Sequence, residues 1–157
     1  MPAPASPREV LARLLHGISD QRWLDLHELY AENAVVEYPF ALPAPTRLQG
    51  RDAIQRYFAA VARTPLRLRA QHVVMHQSSG DPAVIIAEYD YNGLVTTTGR
   101  SFQVSNIQVS TIRDGLISAS RDYHNHLVLA EMTGRLPAVL AALTTEQPPL
   151  TNDDQAS

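Results

Sequence analysis

RDGLISASRDYHNH, residues Arg113–His126, is the stretch around which the rest of the chain arranges itself. Asp114-Gly115 with apolar residues on both sides is a strong hairpin signal, because the tight primed turns need positive φ at their centre. The strand that follows ends in a run of polar side chains, Arg121-Asp122-Tyr123-His124-Asn125-His126, denser than a surface strand requires. Alternation places Asp122 and His124 on one face of that strand, with Arg121, Tyr123 and Asn125 on the other. If the first face is enclosed, a carboxylate and an imidazole meet in a cavity. The competing reading is a structural ion pair between Arg121 and Asp122.

Upstream of this hairpin, strand-like segments fill the middle of the chain. Leu66 to Gln77, Val84 to Val95 and Phe102 to Ile112 read as strands, with Gly80-Asp81-Pro82 as a turn, and Leu116 to Asn125 completes the set. Helical signals dominate the N-terminal third. Ser6-Pro7-Arg8-Glu9 opens a first helix as N-cap, first-turn proline and acid, with Val10, Leu11, Leu14, Leu15 and Ile18 at helical spacing. Asp20 is expected to cap a second helix carrying Trp23, Leu26, His27 and Tyr30 on one stripe. Ala34 to Tyr38 reads as a strand closed by Pro39 and a Pro-rich loop through Pro45. Gly50-Arg51-Asp52 leads into a third helix with Ile54, Tyr57, Phe58 and Val61 in register. Leu127 to Leu143 reads as two helical pieces, broken at Gly134 and restarted at Pro137. Helices followed by a run of antiparallel strands imply an α+β architecture, helices packed on one face of a curved sheet.

Composition sets limits on function. The 157 residues, 45% hydrophobic and 18% charged, fit one soluble globular domain, expected over residues 7–143. Residues 1–6 and the polar, Pro-containing tail 144–157 are expected to be disordered. A net charge of −3 makes no case for nucleic acid or an anionic membrane as partner. All 13 basic residues are arginines, so a Schiff-base lysine and a P-loop lysine are excluded. With no cysteine, so are disulfides, thiol nucleophiles and thiolate metal sites. No signal peptide or membrane span is legible, which reads as a cytoplasmic protein. His72 and His76, four apart on a strand, have poor metal-ligand spacing, and no metal is expected.

The segments LYAENAVVEYPF, GRDAIQRYF, DPAVIIAEYDYNG, TGRSF and RDGLISASRDYHN, in this order, resemble the SnoaL-like family of the nuclear transport factor 2 and ketosteroid isomerase superfamily. The flavour is similar to the branch containing the phenazine-biosynthesis A/B proteins, and the resemblance runs roughly from Arg8 to Leu143. It implies a cone: a bent, mainly antiparallel sheet covered by N-terminal helices, with a deep apolar pocket, no cofactor, a small-molecule substrate and commonly a homodimer. It also implies an acid/base aspartate at Asp122, as in SnoaL-like aldol cyclases. In limonene-epoxide-hydrolase relatives the matching aspartate works with an Arg-x-Asp pair. Tyr89 and Tyr91 stand at those positions here, which argues against direct epoxide hydrolysis.

A carboxylate buried in an apolar pocket has a raised pKa suited to a general base, and ketosteroid isomerase couples such an aspartate to hydroxyl donors. Asp122, Tyr89, Tyr91 and His124 are therefore the candidate catalytic residues. Tyr38, Phe40, Tyr57, His72 and Asn106 are the candidate substrate contacts. Each also has a packing or solvent-facing alternative. The expected activity is cyclisation or isomerisation of an apolar polyketide-like or polycyclic secondary metabolite. Epoxide opening to a cyclic ether, an epoxide hydrolase relative, and a non-catalytic binder of a pathway intermediate are the alternatives, because one fold hosts many functions.

Overall fold

The computed structural model describes residues 3–146. Helix α1 (Pro7–Ser19) begins with a full capping box: Glu9 N donates to Ser6 Oγ, and Ser6 N donates to the Glu9 carboxylate at 2.7 Å. Its apolar stripe, Val10, Leu11, Leu14, Leu15 and Ile18, is buried against the sheet. A short 3₁₀ turn (Leu26–Leu29) leads to strand β1 (Tyr30–Tyr38), followed by the short β2 (Thr46–Gln49) and helix α2 (Arg51–Ala62). Four long segments come next: β3 (Leu66–Gln77), β4 (Val84–Val95), β5 (Ser101–Arg113) and β6 (Leu116–Tyr123). Helices α3 (His126–Met132) and α4 (Leu136–Glu146) end the described chain.

The six strands form one sheet in the order β2-β1-β6-β5-β4-β3. All neighbours are antiparallel except β1 and β6, which run parallel and are joined by the whole intervening chain, β2, α2 and β3 to β5. The inner face carries Ala34, Val36 and Tyr38 from β1, Ile85, Ala87, Tyr89 and Tyr91 from β4, and Val104 and Ile112 from β5, all buried in one core with the α1 and α2 stripes. Asp114 and Gly115 turn the β5–β6 hairpin with φ of 52° and 76°, the double positive φ that a type I′ turn requires. Among the described residues no helix is long and apolar enough to cross a membrane.

Three local readings need correction. The segment expected as a second helix is a 3₁₀ turn, and Tyr30 already belongs to β1. Gln21 takes φ 59° just after α1 and stays there because its amide donates to Ile18 O and Leu68 O, which turns the chain away from a helical path. Trp23 and Leu26 reach the core from the turn instead. The residues between the Pro-rich loop, which ends at Pro45, and the third helix form β2, an unread polar edge strand with one side in water and hence no period to reveal it. Finally, α4 runs through Glu146, so residues 144–146 are helical, while 147–157 lie outside the described residues. Ser6 caps α1 as its motif predicts and so does not belong to the disordered start expected over residues 1–6, of which residues 1–2 lie outside the described range.

Candidate active site

Between the inner face of the sheet and the helices lies a cavity of about 420 Å³. Its walls are mostly apolar, with Leu14, Ile18, Trp23 and Phe58 on the helical side and Leu129 and Val139 from α3 and α4. Five tyrosines, Tyr30, Tyr38, Tyr57, Tyr89 and Tyr91, line it together with Gln108, Asp122, His124 and His126.

The polar groups come from two neighbouring strands read at every second residue. Asn106, Gln108 and Ser110 of β5 are 3%, 2% and 0% exposed, and Ser120 and Asp122 of β6 are 2% and 6% exposed. Register pairs Ser110 with Ser120 and Gln108 with Asp122, so a buried polar seam crosses the apolar sheet. Such a seam is tolerated only when its groups find partners. Ser120 Oγ donates to Asp122 Oδ1. Tyr89 donates to Gln108 Oε1 at 3.2 Å, and Gln108 Nε2 to Ser110 Oγ at 3.1 Å.

Asp122 has no cation beside it. Arg121 points to the other face and pairs with Glu37 of β1 at 3.2 Å, so the structural ion pair between Arg121 and Asp122 does not form. Burial raises the Asp122 carboxyl from 3.8 to about 7, partly opposed by the Ser120 hydrogen bond. His124 lies with Nε2 4.0 Å from Asp122 Oδ2, beyond hydrogen-bond reach. Burial, and then the neighbouring His126, push His124 down to about 3, so the pair is a neutral imidazole beside a carboxyl group rather than a salt bridge. Asn106 Nδ2 donates to Val104 O, which leaves its Oδ1 facing His124 Nδ1 at 2.8 Å. A carbonyl oxygen can only accept, so His124 carries its proton on Nδ1 and presents a bare Nε2 toward Asp122. Burial pushes all five phenols upward, and they remain protonated donors.

The structure brings Asp122, Tyr89, Tyr91, His124, Tyr38 and Tyr57 together at one cavity. The ring of His124 stacks on Tyr91 at 6.1 Å, Tyr38 stacks on Tyr57 at 5.1 Å, and Tyr89 meets Tyr91 edge-on at 5.1 Å. Three expected contacts lie elsewhere. His72 sits on the outer face, its side chain 72% exposed and paired with Asp90 at 3.0 Å. One extra residue between Gln71 and Val74 bulges β3, with His72 at φ 53°, and this inverts the alternation that would have turned His72 inward. Phe40 follows the end of β1, is 64% exposed and packs edge-on against Tyr123 on the outer face. Asn106 is buried behind His124 and holds that ring instead of lining the cavity. Among the described residues no group of three His, Asp or Glu side chains is placed to hold a metal ion.

Sequence reading missed Gln108, Ser110 and Ser120, although the same alternation that singled out Asn106 and Asp122 contains them. It also missed Tyr30, His126 and Arg135. Tyr30 was assigned to a helix, and the other two reach the cavity only through the packing of α3 and α4.

A family model for the SnoaL-like domain matches residues 11–120. The chain is 37% identical over 108 residues to the uncharacterized protein YesE of Bacillus subtilis, which covers 68% of this chain and 73% of that protein. It is 30% identical over 133 residues to an uncharacterized PhzA/B-like protein of Pseudomonas aeruginosa, covering 80% of this chain and 86% of the relative. The fold is similar to the crystal structure of a Bacillus subtilis protein provisionally named an isomerase, with a TM-score of 0.74 and 32% identity over 81% of this chain and 91% of that one. Proteins of Xanthomonas campestris, Pseudomonas putida and Silicibacter provisionally named polyketide cyclases superpose with TM-scores of 0.66–0.68 at 15–18% identity, a likeness of fold alone.

Proposed function

The chain belongs to the SnoaL-like domain family, on the nuclear transport factor 2-like fold and near its PhzA/B-like members, and from that premise we propose that it is an acid/base enzyme of the isomerase and cyclase kind. Its substrate is a largely apolar, polyketide-like or polycyclic small molecule with a carbonyl group, and the reaction starts with proton transfer beside that carbonyl. One observation carries this reading: Asp122 is a buried, cation-free carboxyl whose pKa of about 7 faces a cavity lined by protonated phenols. A base is most useful when its pKa lies near the working pH.

In this reading the Asp122 carboxylate takes a proton from the carbon next to the carbonyl. Tyr91 donates a hydrogen bond to the developing enolate oxygen, a preorganised donor in an apolar site, while the Tyr89 hydroxyl is held by Gln108. His124, fixed by Asn106 with a bare Nε2, accepts a hydrogen bond from a substrate hydroxyl and so orients it. Return of the proton to a second carbon gives isomerisation, and attack of the enolate on a second carbonyl gives ring closure. Closure onto an epoxide would use the same base with phenolic assistance. The protein acts as a homodimer.

Two- to four-ring ketones such as 1-tetralone, incubated with the protein in D₂O, provide the test. The expected result is deuterium entry at the carbon beside the carbonyl, followed by NMR, above the rate in buffer. Asp122→Asn should lose at least about 100-fold of that excess, the usual contribution of a positioned base. Exchange that is absent for every ketone would mean that the cavity holds a ligand without transforming it, and exchange that is unchanged in Asp122→Asn would mean that Asp122 is not the base.

A further inference from the structure

Only two of the described residues that line the cavity carry a formal charge at neutral pH, and they sit on different walls. Asp122 is the acid, in the sheet. Arg135 is the cation, at the corner where Gly134 (φ 72°) ends α3 and the chain turns into α4. Arg135 N donates to Ala130 O at 2.8 Å, which pins this corner against the end of α3. The nearest acid in sequence, Glu131, is turned to Arg100 at 3.6 Å, and among the described residues no carboxylate pairs with Arg135. Next to it, on the same wall, His126 has an Nε2 that is shielded from solvent yet has no hydrogen-bond partner. A shielded nitrogen left without a partner is costly, so it marks a place where a polar ligand atom belongs. The two groups feel one another: burial first, and then the charge of Arg135, lower the His126 pKa. Arg135 likewise acts on Tyr57.

We propose that Arg135 and His126 form a carboxylate-binding subsite at the mouth of the cavity, so that the substrate is an acid-bearing polycyclic or polyketide-like molecule held by its carboxylate at this end. The inference rests on the proposed acid/base function only for the fate of the other end of the substrate. A guanidinium presents a planar fork of donors matched to a carboxylate, and such charge-assisted pairs are stronger than neutral ones. His126 supplies the second contact as a neutral donor through Nε2. The arrangement also gives the substrate a direction. A carboxylate drawn to Arg135 is kept off the Asp122 carboxyl, and the apolar body then spans the tyrosine-lined middle with its reacting carbonyl toward the sheet.

The test uses matched acids and amides of increasing size: benzoate with benzamide, 2-naphthoate with 2-naphthamide, and anthracene-2-carboxylate with its amide. Calorimetry on the full chain should show at least one acid bound about tenfold more tightly than its amide, a difference that shrinks with added salt. Arg135→Gln should remove the preference while leaving the amide affinity near wild type, and Arg135→Lys should retain part of it. His126→Phe should reduce the preference without abolishing it. If no acid is favoured over its amide, including the case where none binds, or if Arg135→Gln keeps the full preference, the subsite does not exist. Because the readout is binding, it is separable from chemistry: an acid preference in a protein that exchanges no deuterium overturns only the catalytic reading. Loss of the preference in an active protein overturns only the subsite.

Discussion

The Asp122 carboxyl is the residue on which stability and chemistry meet. Its folded pKa of about 7 exceeds the ordinary 3.8 because burial penalises the anion. The folded chain therefore holds this proton more tightly than the unfolded chain. Protonation contributes stability that is complete below the ordinary value and lost as pH rises through about 7. Asp122→Asn keeps the shape and removes the charge, so its thermal midpoint should lie above wild type at pH 8, by about 5 °C or more for a chain of this size. The gap should narrow steadily as the pH is lowered from 8 toward 5. Calorimetric scans across that range check it. A variant less stable than wild type at every pH would show that the anion is held by favourable contacts and that Asp122 is structural. If Asp122 is the base proposed above, it is kept at a cost in stability at high pH, a common compromise at functional sites.

At the scale of elements, the clearest case is the β5–β6 hairpin that delivers Asp122. Gly115 has φ 76°, and a Cβ there would meet only ordinary contacts with Pro4 and Ala5 at 3.5 Å, so any cost of adding one is backbone strain. Gly115→Ala should lower stability by about 1 kcal/mol in urea titration, and Gly115→Asn by less, since asparagine tolerates this region. An unchanged midpoint for Gly115→Ala would show that the turn relaxes to another type. This turn was legible because its chemistry is local, and the same holds for the Ser6 cap and for β3 and β4, whose limits match their apolar runs. The misread pieces depend on distant partners. Gln21 turns the chain through its bond to Leu68 O, β2 exists only by pairing with β1, and the bulge that turns His72 outward has no residue signature of its own. The site follows the same division. Strand alternation reaches the seam from Asn106 to Ser110 and from Ser120 to His124, whereas Arg135 enters through a helix corner that no periodicity describes.

For the whole molecule, the outer face of the sheet is as telling as the inner one. Register aligns Val74, Glu88, Ile107 and Tyr123 in one row across β3, β4, β5 and β6. Val74 is 51% exposed, Ile107 44%, and Phe40, resting on Tyr123, 64%. Single exposed apolar residues are ordinary, but a row contributed by several separate segments forms a patch of the kind that marks an interface. Arg121 and Glu37 pair at one end, His72 pairs with Asp90 beside the row, and Glu88 within it is paired by His76, polar groups that suit a two-fold contact in which the same patch meets itself. Sedimentation velocity at micromolar concentration should therefore give the mass of a homodimer. Ile107→Glu places two like charges across the axis and buries them without partners, so it should shift the protein to monomer. Its side chain points away from the cavity, so acid binding at Arg135 should survive in the monomer. A wild-type protein that sediments as a monomer, or a dimer indifferent to Ile107→Glu, would leave this patch without a role in assembly. If instead dimer and cavity are lost together, the back-to-back sheets are what hold the β5–β6 seam, and Asp122 with it, in place.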